Sequence, residues 1–341
     1  MPMISFDDFA LQGSEIDALR SQIAEHRLVH AVLITGQPGT GKRTLARLIA
    51  ISLMCTSDKE IPCFQCDGCR LAIAGEHPDI TVIEKGIPLS QEVQKGRATI
   101  PVEDIREMIR ICNRYAYEGG NRVVMIQEAE NMTPQAQNSL LKILEEPPQN
   151  TYFLITSSHP EQLLTTVRSR CRSIKLVPWD EEYIKETLIK SGVDQTVAEK
   201  AAAASYGSIG NAFRLSSDDD YWRKKEEIIN ALFRNRSRSE ILSISTAWKD
   251  QKASADQLFN IAEDCIQQLL RYRLYQKKTD YPEEYPPEWK RFAAEAPLER
   301  FMFLADAVIS ARKQNISNVN FQAIIEQLLL TFIGESDLWV K

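Results

Sequence analysis

The stretch Ala31-Val32-Leu33-Ile34-Thr35-Gly36-Gln37-Pro38-Gly39-Thr40-Gly41-Lys42-Arg43-Thr44 decides the fold. A short apolar run breaks into glycines, and a second apolar run, Leu45 to Met54, follows. That order reads as a buried parallel strand, a turn and a buried helix. The glycines let backbone N–H groups turn inward around phosphate oxygens, the helix N-terminus adds partial positive charge, and Lys42 reaches the outer phosphates. Gly36, Gly39, Gly41, Lys42, Arg43 and Thr44 are therefore the candidate residues of a phosphate loop for ATP or ADP. The loop is degenerate. A magnesium-holding hydroxyl belongs directly after the lysine, but Arg43 stands there, and Thr44 lies one place late, rotated by about 100° around the helix.

Working outward, Asp79 to Ile83, Arg122 to Ile126 and Tyr152 to Thr156 read as three further strands. Between them Val102 to Tyr115 carries apolar residues at helical spacing, and Gly119-Gly120 turns the chain into the third strand. Thr133 reads as an N-cap with Pro134 at the first helical position, and Pro147-Pro148 stops that helix. Strands alternating with helices imply a parallel sheet covered on both faces. The third strand runs into Gln127-Glu128. A nucleotide hydrolase places a magnesium-binding Asp at the first position and often a water-polarising Glu at the second. The neutral amide of Gln127 is a poorer magnesium ligand, whereas Glu128 keeps the second role.

Beyond Pro178-Trp179 the strand signal fades. Glu181 to Lys190 and Thr196 to Ser205 read as helices, broken by Gly207 to Gly210. From Ser216 the chain reads as all-helical, interrupted at Arg234 to Ser239 and at the proline-rich Tyr281 to Pro287. The expected domains are 1–178, a small helical lid at 179–215 and a helical domain at 216–341.

Cys55, Cys63, Cys66 and Cys69 give a C-x7-C-x2-C-x2-C pattern. Four thiolates at this spacing suit a tetrahedral structural zinc, with no open position for chemistry. His77 is close in sequence, but four cysteines already complete the set. The cluster predicts a zinc-stapled insertion at about 55–69.

Composition narrows the function. The 341 residues are 43% hydrophobic and 26% charged, an ordinary globular balance. Lys and Arg number 41 against 47 Asp and Glu, for a net charge of −6. Such a chain is no self-sufficient nucleic-acid binder, so contact with DNA is expected through partner subunits. A zinc-dependent nucleic-acid site fares no better, because Asp58, Glu60 and Asp67 offset Lys59 and Arg70 around the cysteines. No apolar run of about 18 residues is present, so no membrane span is expected. Seven cysteines and no leader-like start predict a cytoplasmic location.

Together these pieces resemble the clamp-loader branch of the AAA+ ATPases. The resemblance rests on His30 to Gly36, on the four-cysteine module after the first helix, and on Asn138-Ser139-Leu140-Leu141-Lys142-Ile143-Leu144-Glu145-Glu146-Pro147-Pro148. It rests also on Ser169-Arg170-Cys171, which matches the branch's Ser-Arg-Cys motif, and covers about residues 1–215. It implies a P-loop AAA+ domain with a zinc module, a helical lid and an all-α C-terminal collar. It also implies that Arg170 acts in trans as an arginine finger on a neighbour's ATP. The motors of the branch carry a γ-phosphate-sensing arginine where Gly210 stands here. Arg43, Gln127 and Gly210 together liken the chain to a stator of the DNA polymerase III holoenzyme. The implied partners are the gamma/tau ATPase subunits and a delta subunit in a hetero-pentameric ring, the sliding clamp, and primer-template DNA through the complex. Lys42 and Glu128 keep open the alternative of an autonomous gamma/tau-like motor.

Overall fold

In the computed structural model, residues 5–57, 60–113, 120–234, 237–250, 252–275, 285, 288–317 and 319–333 are described. Asp58, Lys59, Tyr115, Gly119 and, apart from Tyr285, the proline-rich Tyr281 to Pro287 lie outside them. The chain divides into two compact units, Met1–Ser217 and Asp218–Lys341.

The first unit opens with a 3-10 turn, Phe6–Gln12, and runs in order α1 (Ser14–Ala24), β1 (Ala31–Thr35), α2 (Lys42–Leu53), α3 (Asp67–Ala74), β2 (Ile80–Ile83) and α4 (Val102–Cys112). It continues with β3 (Arg122–Ile126), α5 (Pro134–Glu145), β4 (Thr151–Ser157), α6 (Thr165–Arg168) and β5 (Arg172–Lys175). Three helices close it: α7 (Glu181–Lys190), α8 (Gln195–Ala204) and α9 (Ile209–Leu215).

The strands form one parallel sheet in the order β2-β3-β4-β1-β5. The register of β1 runs from Ala31 opposite Phe153 to Thr35 opposite Ser157, and on its other side from Val32 opposite Arg172 to Thr35 opposite Lys175. Strand residues alternate between faces. Leu33, Val124, Ile126, Phe153 and Ile155 join buried residues of α4 and α5 in one core cluster. Val32, Ile34, Val123, Met125 and Leu154 fall on the opposite face, and α2 packs against β4, β1 and β3. All five residues of β1 and of β3 are buried, as the runs of β-formers predict for a sheet covered on both sides.

Three of the sequence expectations change in detail. A fifth strand, Arg172–Lys175, extends the sheet beyond β1; only Ile174 of its four residues is fully buried, so no apolar run announced it. Helix α3 begins inside the cysteine segment, with Cys66 as its N-cap and Cys69 in its first turn, and the cysteine spacing did not announce it. Gly210 does not break a helix. The break ends at Ser208, whose hydroxyl accepts the N–H of Asn211 and caps α9, leaving Gly210 inside its first turn. The expected cap of α5 is in place, with Thr133 Oγ1 accepting the N–H of Ala136 at 3.2 Å.

The second unit contains α10 (Asp219–Phe233), α11 (Arg238–Trp248), α12 (Ala255–Tyr275), α13 (Glu288–Glu295), α14 (Leu298–Ile316) and α15 (Phe321–Ile333). Phe233 anchors its core, with ring centroids 5.4 Å from Tyr285, 4.6 Å from Trp289 and 5.4 Å from Phe332, all near edge-to-face.

Candidate functional site

The phosphate loop sits at the C-terminal end of β1, the edge where open parallel sheets bind ligands. Gly39 and Gly41 take positive φ values of 76° and 96°, which is why the turn needs glycine there. Lys42 opens α2, and its Nζ donates to the carbonyls of Gly36 and Gln37, each at 2.8 Å. Burial pushes the Lys42 ammonium below its usual range, while Glu130 and Glu128 pull it back up.

The helical end of the unit fastens this loop from above. The Gly210 N–H donates to the Gly39 carbonyl at 2.9 Å. Gln37 Nε2 donates to the Tyr206 carbonyl at 2.7 Å, and the Trp179 indole N–H to the Thr40 carbonyl at 2.9 Å. The approach is close: a Cβ on Gly39 would lie 2.1 Å from Ser208 Oγ. Trp179 is held in turn by a stacked Tyr183, 4.8 Å between centroids.

The positions that serve magnesium and water in a hydrolase are engaged elsewhere. The Arg43 guanidinium forms an ion pair with Glu84, just past β2. Thr44 is half-buried in the first turn of α2. Lys85 Nζ lies 2.8 Å from Glu128 Oε2. The Lys85 hydrogen bond is the chief cause holding the Glu128 carboxyl below the usual carboxylate range, and Asn131 donates to the same oxygen at 3.1 Å. Glu128 itself has φ 50°, a left-handed backbone unusual outside glycine. Gln127 is 5% exposed and by strand alternation belongs to the face that α2 covers; its Oε1 is buried without a hydrogen-bond partner. The pocket thus combines a well-formed phosphate loop with an amide in place of a carboxylate and a guanidinium in place of a hydroxyl. Glu84 and Lys85 were not foreseen as parts of it; their signal was their place directly after a sheet strand.

The four cysteines converge between the end of α2 and the start of α3. Their Sγ atoms all lie within 4.8 Å of one another, so the group is positioned to hold a metal ion. A tetrahedral ion with Zn–S bonds of about 2.3 Å sets its sulfurs roughly 3.8 Å apart, which this spacing admits. Backbone N–H groups already point at the sulfurs: Cys63 N at Cys55, Cys66 N at Cys63 and Cys69 N at Cys66, each at 3.4 Å. Burial pushes the Cys66 thiol up, but the N–H groups of Thr56 and Cys69 outweigh it and bring it down to about 6. Burial pushes Cys69, which has no exposed surface, well up, so a cation among the four is what would keep it a thiolate. The donor set fits zinc. His77 is not part of it, its Nδ1 accepting the N–H of Asp79 at 3.2 Å.

Arg170 lies in the turn between α6 and β5, with its side chain 33% exposed. Its Nη1 donates to the Thr166 carbonyl at 2.9 Å, and its Nη2 pairs with the Glu145 carboxylate at the end of α5. Cys171 next to it packs against the core, and burial pushes its thiol up to about 11. The sequence had singled out Arg170 but not Glu145.

No helix among the described residues is long and apolar enough to cross a membrane. A family model described as DNA polymerase III, delta subunit matches residues 11–180. The DNA polymerase III subunit delta' of Escherichia coli is 31% identical over 305 residues, covering 88% of this chain and 88% of that protein. The Bacillus subtilis protein of the same name is 27% identical over 329 residues, 94% of this chain and 95% of that one. The subunit tau/gamma of Haemophilus influenzae is 27% identical over 358 residues, 96% of this chain but 49% of that protein. The chain belongs to the DNA polymerase III delta-prime family of clamp-loader subunits.

Proposed function

We propose that this subunit is a stator: it does not turn over ATP itself and supplies Arg170 to the ATP site of an adjacent gamma/tau-type subunit. The observation that carries the reading is the pairing of Arg43 with Glu84 and of Glu128 with Lys85. Arg43 stands, paired, where a hydrolase has its magnesium-holding hydroxyl, and Glu128, which would polarise water, is held by Lys85, while Arg170 stands partly exposed at the other end of the sheet. A guanidinium placed against a transferring phosphoryl group stabilises charge that builds in the transition state. In other nucleotide hydrolases such a residue is worth about 10³–10⁵ in rate.

In this reading the chain sits in a hetero-pentameric ring with gamma/tau and delta subunits in the cytoplasm. It reaches the sliding clamp and primer-template DNA through that complex. Residues 179–215 serve as the lid, residues 216–341 as the collar that fixes ring order through helix packing, and the cysteines hold a structural zinc. ATP or ADP, if taken at the phosphate loop, is held without hydrolysis. The test has two arms. The purified chain with Mg²⁺, ATP and primed DNA is expected to show no turnover above background. Arg170→Ala in the reconstituted complex is expected to lower ATP turnover while assembly is kept. Turnover by the chain alone that disappears in Lys42→Ala would establish an autonomous motor instead. Full turnover by an intact Arg170→Ala complex would remove the finger role.

A further inference from the structure

We propose that Glu145 is the positioning residue for Arg170, an inference that rests on the trans-acting role given to Arg170 above. Two anchors fix the guanidinium, and they come from separate elements. One is the Thr166 carbonyl on α6, 2.9 Å from Nη1; the other is the Glu145 carboxylate on α5, which takes Nη2 from 25 residues away in sequence. An arginine has five N–H donors in a rigid planar fork. Two anchors set the plane of that fork and leave three donors for phosphate oxygens.

The placement of Glu145 also calls for a reason. It is the last residue of α5, where the helix presents its negative end and a carboxylate is unfavourable. Glu146 follows as the C-cap, so two acids share that end with Lys142 the basic residue of the last turn. Stability is a weak explanation, because an ion pair this exposed contributes little. Orientation is a better one. The neighbouring arginines are held differently: Arg172 donates to the Gln22 side chain, and Arg168 to the local Thr165 hydroxyl at 3.4 Å. Of the three, Arg170 alone has a carboxylate anchor among the described residues.

An exposed arginine without such an anchor samples many rotamers, and a displacement of about 1 Å at a reacting centre can cost 10²-fold in rate. The finger acts on charge that develops in the transition state, so its misplacement lowers kcat and leaves the KM for ATP in place.

The experiment is steady-state ATP hydrolysis by the complex reconstituted with full-length subunits. It compares wild type, Glu145→Ala, Glu145→Gln, Arg170→Ala, the double variant Glu145→Ala/Arg170→Ala, and Glu146→Ala as control. Expected are a fall of about tenfold in kcat for Glu145→Ala with KM unchanged, a smaller fall for Glu145→Gln, which keeps an acceptor oxygen, and none for Glu146→Ala. The double variant should match Arg170→Ala alone, as expected of residues acting as one unit. An Arg170→Ala defect combined with unchanged or faster turnover in Glu145→Ala overturns the positioning role, as does a double variant whose losses multiply. An Arg170→Ala complex with full turnover instead brings down the finger itself, and the two failures are thereby told apart.

Discussion

The N–H of Gly210 donates to the carbonyl of Gly39 across 2.9 Å, joining residues 171 positions apart and laying the first turn of α9 on the phosphate loop. A Cβ on Gly210 would sit 3.2 Å from the Gly39 Cα, so the two backbones meet with no side chain between them. Replacing Gly39 by Ala sets a Cβ 2.1 Å from the Ser208 hydroxyl that caps α9, and forces a β-carbon onto φ 76°. The left-handed strain costs about 1–2 kcal/mol and a lost cap about 1 kcal/mol. Gly39→Ala is therefore expected to lower the melting temperature by about 4–12 °C. Gly75→Ala is the control: its φ is 77°, but nothing lies within 4 Å of the added carbon. Equal losses in both, measured by thermal unfolding, would mean that the docking of α9 contributes nothing.

Lys85 is expected to govern the acid response of the pocket. Glu128 is held below the usual carboxylate range, with the Lys85 hydrogen bond as the chief cause. A carboxyl whose pKa is depressed by folding contributes stability above its unfolded value and loses it as pH falls through the folded one. Lys85→Met should thus destabilise at pH 6, and the gap to wild type should close as pH falls below about 4. Urea midpoints across that range decide; a gap that widens on acidification would contradict the pairing.

One metal ion per chain is expected, measured as zinc by elemental analysis of purified protein. Cys69→Ser should abolish it and lower the melting temperature, as should chelation at raised temperature, because the binding energy of a structural site is folding energy. Gly68→Ala supplies a subtler probe, since its Cβ would lie 2.1 Å from the Met54 carbonyl and must push α3 away from α2. Reduced zinc in Gly68→Ala with all four cysteines intact would show that close helix contact, and not ligand count alone, builds the site.

Asp79→Ala is expected to destabilise the first unit, because it breaks a buried ion pair. Asp79 and Arg122 pair at 3.3 Å with side chains 4% and 8% exposed, so truncation takes a buried carboxylate away from a buried guanidinium. Arg122 also donates to the Ile111 carbonyl, a bond that the truncation leaves in place. Urea unfolding of Asp79→Ala against Asp79→Asn checks it, with the amide variant expected to lose less.

Much of the first unit was legible because buried parallel strands leave unbroken apolar runs. Val32, Ile34, Val124 and Leu154 belong to such runs, and the capping pair Thr133-Pro134 gave the start of α5. β5 was not legible because its sequence, Arg172-Ser173-Ile174-Lys175, is mostly polar: it borders β1 on one side only. α1 did carry a signal, with Ile16, Leu19 and Ile23 buried at helical spacing. Gly210 misled because glycine usually ends a helix, whereas here the absence of a side chain lets α9 touch the loop. The partners of Arg43, Glu128 and Arg170 were invisible for a different reason. Glu84, Lys85 and Glu145 are brought to them by the sheet order β2-β3-β4-β1-β5, and no local pattern encodes a long-range pair.

The parallel register of β1 and β5 has one further consequence. Arg172 stands beside Val32 and Lys175 beside Thr35, so Arg170 leaves the sheet at the end where β1 enters, and the phosphate loop leaves at the other. Three register steps at about 3.3 Å each separate those rims, and the side chain of Arg170 is tethered to α5 and α6 on its own rim. The chain therefore has polarity: one rim carries Arg170 and the opposite rim carries the loop. Copies or cousins joined through these rims stack head to tail, an unlike-to-unlike contact that closes only as a ring or runs on as a helix. Under the stator role proposed above, the member whose loop is fastened by Gly210, Tyr206 and Trp179 holds a fixed place in such an array.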